Sequence, residues 1–207
     1  MLTKLFSRIL PLAIAAAFIN LAFTTQEESG HEELKQQIAA FVSARADKYD
    51  KKHLNVSEPK YGELNNTNFD FHDFFQLKAK EKTVNNIGNN TKLKLNYSFF
   101  AYENEQERDY ALSFWFKNFI TGKRISPGRT VRTLKNAKPT IGLINGDHVC
   151  IVSLSCNNDN PELLYDLRKE MLTFFGNPES MIFEINCDGP LRWTKNPPDP
   201  KDRKWRQ

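Results

Sequence analysis

PTIGLINGDHVCIVSLSC, residues 139–156, decides how the second half of this chain is read. Two β-rich runs, Pro139 to Ile144 and His148 to Cys156, flank the dipeptide Asn145-Gly146. Both residues of such a pair tolerate positive φ, so the segment predicts two strands joined by a tight turn.

Working outward, Leu93, Leu95, Tyr97, Phe99 and Ala101 alternate with Lys92, Lys94, Asn96 and Ser98. That is the period of a half-buried strand. Glu105 to about Ile120 carries Ala111, Phe114, Trp115 and Phe119 on one helical stripe. After the hairpin, Asn160 is placed to cap a helix that starts at Pro161, carries Leu164, Leu167, Met171 and Phe174, and stops at Gly176 and Pro178. Met181, Phe183 and Ile185 alternate as a last strand. The order β-α-β-β-α-β predicts an α+β domain of ferredoxin-like type: an antiparallel four-stranded sheet with two helices on one face. This architecture names no activity, because it hosts many unrelated ones.

Upstream, Leu34, Ile38, Phe41, Val42, Ala46 and Tyr49 recur at helical spacing, predicting an extra N-terminal amphipathic helix from Glu32 to about Lys52. Between Asn55 and Asn90 lie Pro59, Gly62, two Asn clusters and four phenylalanines. Only Phe75, Leu77 and Ala79 suggest a strand there, a short one at a sheet edge. The expected organisation is a targeting segment over 1–25, a helix and irregular extension over 26–90, the α+β domain over 91–190 and a basic, Pro-rich tail over 191–207.

The targeting segment has Lys4 and Arg8 before an apolar run from Ile9 to Phe23, followed by Glu27, Glu28, Glu32 and Glu33. The run is interrupted by Pro11 and Asn20. It is short for a spanning helix of about 20 residues and near the upper length of a signal h-region, about 7–15. The segment reads as a secretory signal, or as an anchor that stays in the membrane. Either way the charge asymmetry predicts export to the periplasm or beyond. Lys4 and Arg8 also supply half of the net charge of +4, so the exported part is nearly neutral and gives no argument for nucleic acid.

Three cysteines occur. Cys150 shares parity with Val152 and Leu154 and is expected in the core. Cys156 and Cys187 end the third and fourth strands, which the ferredoxin-like order separates by the first strand. Two inter-strand spacings, roughly 9–10 Å, are too far for a bridge within a sheet. The loops starting at Asn157 and Asp188 allow the chains to converge, and an oxidising compartment favours a disulfide over two free thiols.

Seven bases and no acid lie between Lys117 and Lys138. Lys123, Arg124, Arg129, Arg132, Lys135 and Lys138 form a basic connector between the first helix and second strand, opposed to an otherwise acidic body. Such a cluster can bind carboxylate, sulfate or phosphate, or act as a solvated loop that offsets the acidic body. Catalytic signals are missing: the four histidines are scattered, and no metal-ligand spacing, nucleophile elbow or phosphate loop occurs. No cofactor is implied. Glycosylation sequons begin at Asn55, Asn65, Asn89 and Asn96.

The function expected from these features is a non-enzymatic binding or interaction module outside the cytoplasm, its partner a protein or an anionic ligand. The alternatives are an exported enzyme with a site assembled from distant residues and a structural envelope component tethered by residues 9–23. A reporter that works only in the cytoplasm, fused after Gln207, should be inactive; robust activity would show that the chain is not exported.

Overall fold

In the computed structural model, which describes residues 29–55, 64, 67–119 and 137–195, the apolar runs of the sequence lie side by side in one antiparallel sheet. In chain order the elements are α1 (Ser29–Ser43), β1 (Tyr49–His53), β2 (Phe71–Ala79), β3 (Thr83–Val84), β4 (Asn90–Thr91), β5 (Lys94–Ala101), α2 (Glu105–Phe119), β6 (Thr140–Asn145), β7 (His148–Ser153), α3 (Pro161–Phe175), β8 (Met181–Ile185) and β9 (Leu191–Lys195). A 3₁₀ turn, Cys156–Asn158, follows β7. The sheet order is β1-β2-β5-β7-β6-β8-β9, and β3 and β4 form a separate hairpin. By internal contacts the chain divides between Gln36 and Gln37. The described part of the first unit is the start of α1, where Lys35 Nζ bonds Glu32 Oε1 at 2.5 Å.

The α+β class and the βαββαβ order hold, as β5-α2-β6-β7-α3-β8, but the ferredoxin-like topology does not. That topology pairs the fourth strand with the first. Here β5 already has two partners, β7 and β2, so β8 pairs with the far side of β6. β2 is therefore an internal nine-residue strand, not a short edge, and β1 and β9 add outer strands that the sequence reading did not contain. Residues 49–53, expected at the end of the first helix, leave the helix after Ser43 through a tight turn in which Tyr49 N–H reaches Arg45 O at 2.9 Å. Pairing with β2 overrides the helical spacing of Ala46 and Tyr49.

The helices also divide between the faces instead of sharing one. Tyr97, Phe99, Cys150 and Leu143 share one face by register. Phe41 of α1 lies 5.1 Å from the Tyr97 ring, and Phe175 of α3 lies 5.0 Å from Phe99. Phe74, Phe100, Val149, Ile151, Phe183 and Trp193 line the opposite face, where α2 contributes Ala111, Leu112 and Trp115. Trp115 meets Phe183 at 5.7 Å. β5 and β7 are thus covered on both faces, so Phe100 and Ile151 are as buried as their neighbours and the expected half-buried alternation fails. Phe114 of α2 is exposed, and in α3 Phe175 replaces Phe174 on the buried stripe.

Local signals fared better. Asn160 Oδ1 accepts from Glu162 N–H at 2.9 Å with Pro161 next, and Gly176 N–H closes α3 onto Leu172 O at 3.0 Å. The hairpin turn forms one residue later than read: Asn145 pairs with His148, so Gly146 and Asp147 are its central residues, with Gly146 at φ 54°. An ion pair between the buried Arg45 and the partly exposed Glu170 joins the chain after α1 to α3, with the Arg45 guanidinium 4.3 Å above the Phe41 ring.

The sheet face under α2 requires a glycine. A Cβ at Gly142 would stand 1.9 Å from the Phe183 ring, which packs over the bare backbone. Gly142→Ala should cost about 1–3 kcal/mol through overpacking. In urea denaturation, combining it with Phe183→Leu should cost less than the two changes summed, because the shorter side chain vacates that space; additive losses would contradict this packing.

Candidate functional site

Of the basic connector, Lys123, Arg124, Arg129, Arg132 and Lys135 lie outside the described residues. Lys138 is described, and it lines a cleft of about 520 Å³. The cleft is built from three pieces. Its floor is the end of β2 and β5, where Gln76 and Asn96 are register partners and Gln76 Nε2 donates to Asn96 Oδ1 at 2.8 Å. One wall is the chain from Leu154 through the 3₁₀ turn to Asn158; the other is the β3–β4 hairpin with Asn85, Thr91 and Lys92.

The walls are fastened to each other. Asn86 N–H donates to Asn157 O and Asn86 Nδ2 to Asp159 O, each at 2.9 Å. Asn85 Oδ1 accepts from Asn89 N–H at 2.9 Å and holds the hairpin loop in shape. The turn is capped by Ser155, whose Oγ accepts from Asn157 N–H at 3.3 Å. A disulfide then joins Cys156 to Cys187, with Cα atoms 5.4 Å apart, and Cys187 N–H donates to Asp159 Oδ2 at 3.1 Å. The strand that separates these two chain ends is β6, not the first strand of the motif. The loops converge as their ends allow, so the bridge forms beyond the sheet.

The floor continues into the sheet. Gln76, Asn96, Ser153 and Thr140 are successive register partners across β2, β5, β7 and β6, one polar row among apolar ones. Thr140 Oγ1 donates to Lys138 O at 3.0 Å, and Leu154 N–H to Pro139 O at 3.1 Å, which fixes the backbone that carries Lys138. Ser153 is fully buried and its Oγ has no hydrogen-bond partner among the described residues. Lys92 and Lys94 join Lys138 at the cleft; among the described residues no aspartate, glutamate or histidine lines it. The cleft can therefore supply positive charge, amide groups and hydroxyls, but no general base. Sequence reading missed Gln76, Asn85, Lys92, Lys94, Asn157 and Asn158 as site residues. Their only signal was the Asn richness of two segments, which reads equally well as loop.

Elsewhere, His148 Nδ1 lies 3.1 Å from Asp147 Oδ1 beside the hairpin turn, at the other end of β7 from the cleft. His148 Nε2 is buried with no hydrogen-bond partner, so no hydroxyl or thiol completes a triad among the described residues. Burial pushes the Tyr102 hydroxyl up to about 12, partly countered by its hydrogen bond with Thr67, and raises the Tyr97 and Cys150 groups further. None of these can act as a base near neutrality. No group of three metal-ligating side chains occurs among the described residues. Among the sequons, Asn55 and Asn89 are exposed, Asn96 is bonded within the sheet, and Asn65 lies outside the described residues.

Compared with known proteins, the chain matches no family model, no curated protein and no solved structure.

The disulfide makes the site testable without a ligand. Peptide mapping without reduction should recover Cys156 linked to Cys187, with Cys150 alkylated only after unfolding. Replacing both bridged cysteines by alanine should cost about 3–4 kcal/mol for a loop of this length. It should also speed amide exchange at Asn86, whose acceptor Asn157 sits in the bridged turn; unchanged exchange there would show that the clasp does not depend on the bridge.

Proposed function

We propose that the protein is an exported, non-enzymatic binding module of the cell envelope or extracellular space, and that its cleft is the ligand site. The observation that carries this reading is the lining itself: among the described residues, three lysines with amides and hydroxyls, and neither a histidine nor a carboxylate. A cleft of that composition holds anions and does not move protons. Its volume falls within the roughly 300–1,000 Å³ usual for small-molecule sites. The Cys156–Cys187 bridge is consistent with an oxidising compartment. The rest of the basic connector enters the proposal through sequence: Lys123, Arg124, Arg129, Arg132 and Lys135 run without an acid up to Lys138 and would add positive charge to its surroundings. Among the described residues no helix is long and apolar enough to cross a membrane; the tether that this reading allows is the apolar run of residues 9–23.

Thermal shift at low salt against small anions tests the reading. A ligand at a hundred times its Kd adds about 2.7 kcal/mol, or about 5–10 °C for a domain of this size. The double variant Lys92→Ala/Lys94→Ala should melt as the wild type does without ligand and lose the shift. Arg124→Ala/Arg129→Ala should weaken it to the extent that the connector contributes. Failure of every anion to shift the wild-type protein would end the reading.

A further inference from the structure

Lysines alone would suffice to hold a bare oxyanion, which offers only acceptors. This cleft offers more. Gln76, Asn96, Asn157 and Asn158 each bring an amide, a group that both donates and accepts, where a bare anion uses donors only. Planar amides next to lysines suit a ligand that carries hydroxyl donors and a negative charge on the same molecule. The space is also large for one oxyanion. Further in, Ser153 leaves a buried hydroxyl with no hydrogen-bond partner among the described residues, in the same polar row as Gln76 and Asn96. Among the described residues no aromatic lines the cleft, so such a ligand would be held there by its polar edges and not by ring stacking.

We propose that the cleft binds an acidic saccharide, a sugar chain bearing carboxylate or sulfate groups, with the lysines on its charge and the amides on its hydroxyls. This rests on the reading of the cleft as an anion site, and it adds the demand for hydroxyl groups. The architecture fits a preformed site. The floor amides are locked by the β2–β5 register, and one wall is held by a disulfide and a two-bond clasp. The clasp uses Asn157 through its main-chain carbonyl, which leaves the Asn157 side chain outside that contact.

Isothermal titration of the full chain with the disulfide intact separates the possibilities, using a tetrauronate, a neutral tetrasaccharide of the same length, a sulfated disaccharide and inorganic sulfate. The tetrauronate or the sulfated disaccharide should bind, and whichever is tighter identifies the acidic group. The neutral sugar and inorganic sulfate should each bind at least about tenfold more weakly than that ligand, since one charged hydrogen bond is worth that much. Lys94→Ala should weaken the acidic sugar and leave the neutral one unchanged, whereas Asn157→Ala should weaken both, with melting temperatures near that of the wild type. Sulfate binding as tightly as either acidic sugar would overturn the saccharide proposal while leaving the anion site standing. A neutral sugar binding equally well would overturn the role of charge. No binding by any of the four would end both readings.

Discussion

The pairing of β2 with β5 decides where every other part of the sheet can go. It runs from Phe71 opposite Ala101 to Lys78 opposite Lys94, and aromatic rings brace it on both faces. Phe75 stacks on Tyr97 at 5.3 Å on one side, and Phe74 meets Phe100 at 5.2 Å on the other. A slip by one residue would exchange these two sets and put Gln76 on the wrong face. Because β2 closes that side of β5, β8 and β9 can only be added beyond β6. Because the helices then lie on opposite faces, both faces of the central strands are largely apolar, and the one row that is polar across four strands reaches the cleft at Gln76 and Asn96.

That row links the fold to the site. A polar residue in the middle of a twice-covered sheet is costly unless it is bonded or reached by solvent or ligand. Gln76 and Asn96 bond each other, Thr140 bonds the carbonyl of Lys138, and Ser153 is the unmatched member. What their polarity supports is the cleft above them. At the outer edge the chemistry differs again: β1 reads Tyr-Asp-Lys-Lys-His, with Lys51 Nζ 3.8 Å from Asp73, and this charged strand resists pairing with another sheet.

Signals that act over a few residues were legible in the sequence. The cap at Asn160, the stop at Gly176, the hairpin near Gly146 and the burial of Cys150 all depend on neighbours close in the chain. What was not legible depends on contacts across the chain. The four-strand motif permits the fourth strand on either side, and only the long β2 settles the choice. Its alternation was visible over five residues, but His72 and Asp73 hid the first half, since Asp73 faces ion partners at the edge while Phe74 and Phe75 are buried side by side. The cleft was less legible still. Its amides come from four separate segments, and asparagine is so common in turns that its presence there carries little information. The connector stood out because charge accumulates visibly along a sequence, and only its last residue falls among those described.

Cys150 has a consequence beyond packing. The chain carries three cysteines, so three pairings are possible, and Cys150 is only six residues from Cys156. In the folded sheet Cys150 is wholly buried and its thiol is kept protonated, so neither exchange nor oxidation can reach it. During folding it has no such protection. Closure of the sheet over the Cys150 thiol would withdraw it from that competition, which would couple disulfide choice to core formation. A lesion that loosens the centre of the sheet, however far from the bridge, would appear first as scrambled sulfur pairing and disulfide-linked oligomers.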